Sequence, residues 1–353
     1  MLLGYHKDNV GMSQARLLSQ FFTNPDVADE SVLILFDYLE SVGKNPRDML
    51  YIEPSAGNGV FVDSLKKYGI SSDQIIAIEV DPVLAKKRPE YILTNLEDGG
   101  FLGVTKKSLG ISSIPNSNIV IVGNPPYSQP RWTGRSGIIS LQFLNHAMEI
   151  GDTVAFILGT TFRRPKTHTK INHYFHIAYD DDINPRSFTM DGQPKKVATI
   201  FQIWERLPEL REDDPILDVL KKGKWGGDWE YTKSTDPEAN LRICHWGSHE
   251  TVGRMSDPDQ TAVIVERNIL KHRERVESGK SLTNYDPDQS HFYIKALDPW
   301  TSYKKFLDRK YLFRQVANDR TMGQNPDLTR VDIVQIYTLP LGTQYLKGKF
   351  SGI

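Results

Sequence analysis

The 353-residue chain is 39% hydrophobic and 25% charged, ordinary for a globular protein and long enough for one large α/β domain plus a smaller one. Its 43 Lys and Arg against 44 Asp and Glu leave a formal charge of −1, which excludes the basic balance of a protein that coats nucleic acid, so any polynucleotide contact needs a local basic face. One cysteine, Cys244, excludes a disulfide framework and a cysteine-based zinc site within one chain; with no apolar run near ~18 residues and no h-region at the start, an intracellular, cytoplasmic protein without a membrane span is expected.

Residues 1–14 read as a polar lead-in arm. The apolar spacing over 31–39 predicts a helix, with Thr23 or Asn24 as its cap and Pro25 near its first turn. A strand over 49–53 ends in Glu53 and runs into the turn Gly57-Asn58-Gly59, which opens a helix over 60–68. Glycine permits the tight turn and lets backbone N–H groups face a ligand. The carboxylate at the strand end selects the ligand: Glu53 repels a phosphate and suits an ammonium. A second strand, 75–79, ends in Glu79, about 20 residues past the glycine turn, where dinucleotide folds hold a ribose diol. A third strand over 91–94 is followed by Asn95 and Asp98.

Four β-branched residues, Ile119, Val120, Ile121 and Val122, predict a buried fourth strand that stops at Gly123-Asn124-Pro125-Pro126-Tyr127. The two prolines stiffen the backbone and remove two N–H donors, leaving a loop of acceptors beside an aromatic ring. That set suits a planar NH2 group, which offers two donors with a π-face beside them. Arg131, Trp132 and Arg135 in the loop 128–137 suit a flap over nucleic acid or an ordinary surface. A helix over 138–150 and a fifth strand over 153–158 follow. Arg163, Arg164, Lys166 and Lys170 then place cations just after a strand end, as a phosphate-contacting loop or a solvated charge run. Strands over 173–179 and 196–204 close the sheet as an antiparallel edge pair, with Phe188 in the segment between them.

Together, Glu53-Pro54-Ser55-Ala56-Gly57-Asn58-Gly59 and Asn124-Pro125-Pro126-Tyr127 resemble the S-adenosylmethionine (SAM) site and catalytic loop of amino-methyltransferases, nearest to N6-adenine DNA methyltransferases with the gamma-class motif order. The resemblance covers roughly residues 15–206. It implies an α/β fold, a Rossmann-like class I methyltransferase sheet, mostly parallel with an antiparallel edge hairpin. It implies SAM as cofactor. Thr23 would close over the methionine end, Glu53 would pair with the ammonium, and Gly57, Asn58 and Gly59 would form the turn. Glu79 would hold the ribose, Val80 and Pro82 would flank the adenine, and Asn95 or Asp98 would lie near it. Asn124, Pro125, Pro126 and Tyr127 would be catalytic, with Phe188 stacking on a flipped base opposite Tyr127. Arg163, Arg164 and Lys166 would contact the substrate. DNA is the expected partner and RNA the alternative; no metal is implied.

The acidic, proline-ended stretch 210–215 marks a boundary. It divides a catalytic domain, 1–206, from a target-recognition or partner-binding region of smaller size, 216–353. The latter carries Trp225, Trp229, Trp246 and Trp300 and basic stretches at 271–280 and 304–314, and its His245, His249, His272 and His291 lack metal-ligand spacing. Asn-Pro-Pro-Tyr also occurs in release-factor glutamine methyltransferases. With Phe in the last place it occurs in guanine-N2 RNA methyltransferases and cap-adenosine enzymes. The loop therefore reads an sp2-bound NH2 rather than a polymer. A non-catalytic protein of the same fold is the other class, against which stand the intact Glu53, Gly57, Gly59, Asn124 and Tyr127.

Overall fold

The computed structural model describes residues 21–127, 138–217, 229–232, 241–244, 262–264, 291–320, 328–341, 343–346 and 349–351. Arg131, Trp132, Arg135, Trp225, Trp246, His245, His249, His272 and the stretch 271–280 lie outside them, as do the side chains of His291 and Trp300. The chain forms two compact units. The first holds residues 1–159 and 170–212, the second 160–169 and 213–353. Residues 160–169, which the sequence assigns to the catalytic domain, thus fold with the second unit.

The first unit is built on seven strands: β2 (Leu50–Glu53), β3 (Ile75–Glu79), β4 (Ile92–Leu93), β5 (Ile119–Gly123), β6 (Thr153–Gly159), β7 (Phe175–Ile183) and β10 (Thr199–Arg206). Their order is β4-β3-β2-β5-β6-β10-β7. The first five run parallel, with Ile78 opposite Ile92, Ile52 opposite Ile76 and Ile121, and Val122 opposite Ala155. β10 runs antiparallel between β6 and β7. This is the order and polarity of a Rossmann-like class I methyltransferase sheet. β5 and β6 are buried along their whole length, which is why they read as continuous apolar runs without alternation.

Helices α1 (Pro25–Ser41), α2 (Val60–Lys67), α3 (Pro82–Lys87) and α4 (Ile139–Ile150) cover the sheet. α1 buries Ala28, Ser31, Val32, Leu35 and Leu39, a stripe of helical spacing. Asn24 is its N-cap and Pro25 its first residue, yet the Asn24 side chain makes no cap bond. Thr23 belongs instead to β1 (Phe22–Thr23), the first strand of a small second sheet with β8 (Phe188–Met190) and β9 (Gln193–Lys195). β8 and β9 turn at Asp191-Gly192, both with positive φ (54° and 71°), the backbone that two-residue hairpins require.

In the second unit the strands β11 (Trp229–Thr232), β12 (Leu241–Cys244), β13 (Ala262–Ile264) and β14 (His291–Ala296) form an antiparallel sheet in the order β11-β14-β12-β13. The unit also contains the short helix α5 (Pro165–His168), then α6 (Pro299–Leu307), α7 (Lys310–Arg320) and α8 (Arg330–Thr338), and the pair β15 (Gln344–Leu346) and β16 (Lys349–Ser351). Trp229, Phe306, Phe313, Val316, Ile333 and Tyr337 share one core. Buried Arg320 reaches buried Asp332 at 2.5 Å and Gln335 Oε1 at 3.1 Å, so this guanidinium is paired with a carboxylate.

Candidate active site

In an open α/β sheet the carboxyl ends of parallel strands face the ligand crevice. Glu53, Glu79 and Asn124 all stand at or just after such ends, on β2, β3 and β5. Glu53 is 2% exposed. It accepts the Ser55 N–H at 3.1 Å, and no cation pairs with it among the described residues. Burial, with the charge of Glu79 adding to it, pushes its carboxyl up to about 8, against the lowering effect of the Ser55 N–H. A buried carboxylate without a counter-ion fits a cationic ligand and disfavours a phosphate.

Glu79 is tied to the backbone around it. Its Oε2 accepts the Gly57 N–H at 2.6 Å, and its Oε1 accepts Val80 and Asp81 N–H at 2.8 Å each. Three of roughly four acceptor sites are therefore engaged by backbone, leaving about one for a ribose hydroxyl. Burial raises its carboxyl above the usual range while these N–H groups lower it. Glu79 thus holds the glycine turn in shape. Gly59 is required there: its φ is +92°, and a Cβ would lie 2.5 Å from the Tyr91 hydroxyl. Gly57 has φ +56° and stands beside the Phe22 ring. Asn58 is exposed, and its carbonyl accepts Arg88 Nη2 at 3.1 Å. Asn95 and Asp98 are both exposed and joined in one turn after β4, where the Asp98 N–H donates to Asn95 Oδ1 at 2.8 Å and Asn95 Nδ2 donates to Asp98 Oδ2.

The Asn124 side chain is anchored on three sides. Its Nδ2 donates to the Phe21 carbonyl and to Thr23 Oγ1, each at 3.0 Å. Because the Phe21 carbonyl can only accept, the amide nitrogen must face it, and Oδ1 faces the opposite way. There Oδ1 accepts the Tyr127 hydroxyl at 2.6 Å and keeps a second lone pair. Ser55 Oγ donates to the Asn124 carbonyl at 3.2 Å and ties the loop to the Glu53 strand end. Gly123 is buried against Glu53, and a Cβ there would fall inside van der Waals distance of both carboxylate oxygens. Pro125 is buried and Pro126 half-buried.

Three environments differ from those that the sequence suggests. Tyr127 is 8% exposed, with its ring 5.5 Å from Phe21 and its hydroxyl well above the ordinary range through burial, so its face is covered rather than open to a base. Phe188 is 0% exposed because β8 pairs with β1, opposite Thr23. Arg163 is buried in an ion pair with Asp319, and Arg164 Nε donates to the Arg320 carbonyl at 3.1 Å, so these cations are engaged inside the second unit. Lys166 is exposed. Composition alone could not reveal this, since the partner of Arg163 lies 156 residues away. Phe21, Phe22, Ser55, Tyr91 and Gly123 also shape the site, although none is among the candidate site residues read from the sequence. Gly123 and Ser55 stand inside the two motif stretches, which is the signal that could have found them.

No family model and no curated protein matches the sequence. Solved structures with partial likeness include PH1948 from Pyrococcus horikoshii, described as a candidate RNA methyltransferase, at 18% identity over 55% of this chain and 90% of that one, with a TM-score of 0.38. The 23S rRNA methyltransferase ErmE is 17% identical over 58% of this chain and 77% of that one, TM-score 0.36. The type IIL restriction-modification enzyme MmeI, solved with DNA, is 10% identical over 88% of this chain and 58% of that one, TM-score 0.40. The strand order described above, rather than these likenesses, carries the fold assignment. Among the described residues no helix is long and apolar enough to cross a membrane.

Proposed function

We propose that the chain transfers a methyl group from SAM to the exocyclic N6 of an adenine flipped out of DNA. The observation that carries the reading is the Asn124 amide, held by Phe21 and Thr23 so that its oxygen is a committed acceptor beside a buried, uncompensated Glu53. SAM supplies a methyl on a sulfonium and an ammonium, and Glu53 under the glycine turn suits that cation. Gly57 and Gly59 admit close approach, and Glu79 keeps the turn in shape, with its remaining acceptor site for the ribose. Asn95 and Asp98 edge the adenine side.

An aryl amine is a poor nucleophile because its lone pair is delocalised into the ring. Asn124 Oδ1 and the Pro125 carbonyl accept the two N6 hydrogens, which draws the nitrogen toward tetrahedral geometry and localises the pair. Pro126 stiffens this arrangement and Tyr127 steadies Oδ1 through its hydroxyl. The effect is one of positioning and preorganised dipoles. Inside a duplex the amine is engaged in pairing, so the base must leave the stack.

The test is transfer of labelled methyl from SAM, with DNA, RNA and protein offered separately and the nucleosides analysed. N6-methyladenine in DNA is expected. Label confined to RNA or to protein glutamine would keep the chemistry and move the substrate. No label with SAM bound would overturn the reading.

Glu53 makes a pH signature. Its folded-state value near 8 exceeds the ordinary 4.5. Between these pH values the folded chain binds more protons than the unfolded one, so the contribution of Glu53 to stability is full below about 4.5 and is lost as pH rises through about 8. Pairing with an ammonium requires the ionised form and therefore releases a proton. SAM affinity is expected to rise roughly tenfold per unit from about pH 6 to 7.5, with proton uptake by the buffer, read by calorimetry in two buffers. Glu53→Gln should bind weakly and flatten the slope; a flat wild-type profile would rule out the pairing.

A further inference from the structure

We propose that the β8–β9 hairpin is the surface on which the phosphate backbone of the DNA lies, with Arg186, Lys195 and Lys196 as its cations; this rests on the nucleic-acid reading above. All three are exposed and make no ion pair among the described residues. The neighbouring acids Asp180, Asp181, Asp182 and Asp191 each have partners of their own, Asp180 taking the Gln202 amide at 2.7 Å. None of the three cations is spent on a carboxylate among the described residues, so each is left for an anion from outside the chain, while Asp180, which accepts a neutral amide, keeps its own charge. The basic loop at 163–164 does the opposite, since both of its arginines are engaged.

Register places this charge by the catalytic loop. Thr23 stands opposite Phe188, and Phe188 opposite Lys195, in one row across three strands. Directly opposed residues project to the same face of a sheet. Thr23 uses that face to accept Asn124 Nδ2, so Lys195 lies on the Asn124 side, two strand spacings (about 10 Å) from Thr23. The Asn24 N–H donates to the Ser187 carbonyl at 3.0 Å, which fixes the start of the hairpin just after Arg186. A nucleotide whose amine reaches Asn124 would lay its backbone toward this edge. Charge-neutralising contacts of this kind position the strand without reading sequence.

The test compares the full wild-type chain with Arg186→Ala/Lys195→Ala/Lys196→Ala in binding a fluorescent duplex across a salt series. Three lost phosphate contacts should make the slope of log K against log salt shallower by about 2.7, with binding weakened at least ~10-fold at low salt. SAM affinity and melting temperature should stay at wild-type values, and Lys86→Ala/Lys87→Ala on α3 should keep the wild-type slope. A triple variant with the wild-type slope would overturn the proposal and leave the methyltransferase reading standing. A wild-type chain that methylates protein and binds neither DNA nor RNA would overturn both.

Discussion

Asn124→Ala is expected to lower methyl transfer by at least about 10²–10³-fold while SAM affinity stays within a few-fold of wild type. The alanine removes the one acceptor whose direction is set by two independent donations, to the Phe21 carbonyl and to Thr23 Oγ1. It leaves Glu53, Glu79 and the glycine turn untouched, so binding and chemistry separate. Asn124→Asp is the sharper companion. It keeps an acceptor toward Tyr127 but sets a carboxylate oxygen against the Phe21 carbonyl, so the anchoring bond becomes a repulsion. Activity between that of wild type and alanine is expected. Single-turnover transfer with a duplex and calorimetric SAM binding are the readouts. An active alanine variant would sink the mechanism.

Gly123→Ala is expected to lose SAM binding by on the order of 100-fold and to lower stability by about 1–3 kcal/mol. The added methyl would occupy space held by the Glu53 carboxylate. Relief by backbone movement is poor, since β2 and β5 are paired neighbours in the centre of the sheet, with Ile52 opposite Ile121. Glu53 must therefore rotate away from the position that suits a cation. The double variant Gly123→Ala/Glu53→Ala should recover part of the stability, because the clash is gone, and none of the binding. That non-additivity is the signature of direct contact. Wild-type SAM affinity in the single variant would show that Glu53 does not meet the cofactor from this position.

The elements and the chemistry they offer were legible in the order of the residues. Continuous β-branched runs could only be buried strands, the Gly57-Asn58-Gly59 turn could only be tight, and Asn124-Pro125-Pro126 could only be a stiff, acceptor-rich loop, because each follows from neighbours within a few residues. Helix α1 was legible for the same reason, from its apolar spacing and Pro25. Which side chains meet depends instead on packing between distant segments. Thr23, a helix-cap candidate in isolation, accepts with its hydroxyl oxygen the side-chain amide of a residue 101 positions away. Glu79 grips the Gly57 N–H, and Arg163 leaves solvent for Asp319. Phe188 is sealed by pairing with a two-residue strand that no periodicity could reveal. A polar side chain takes whichever partner packing brings within reach once water is excluded, and local sequence carries no record of that partner.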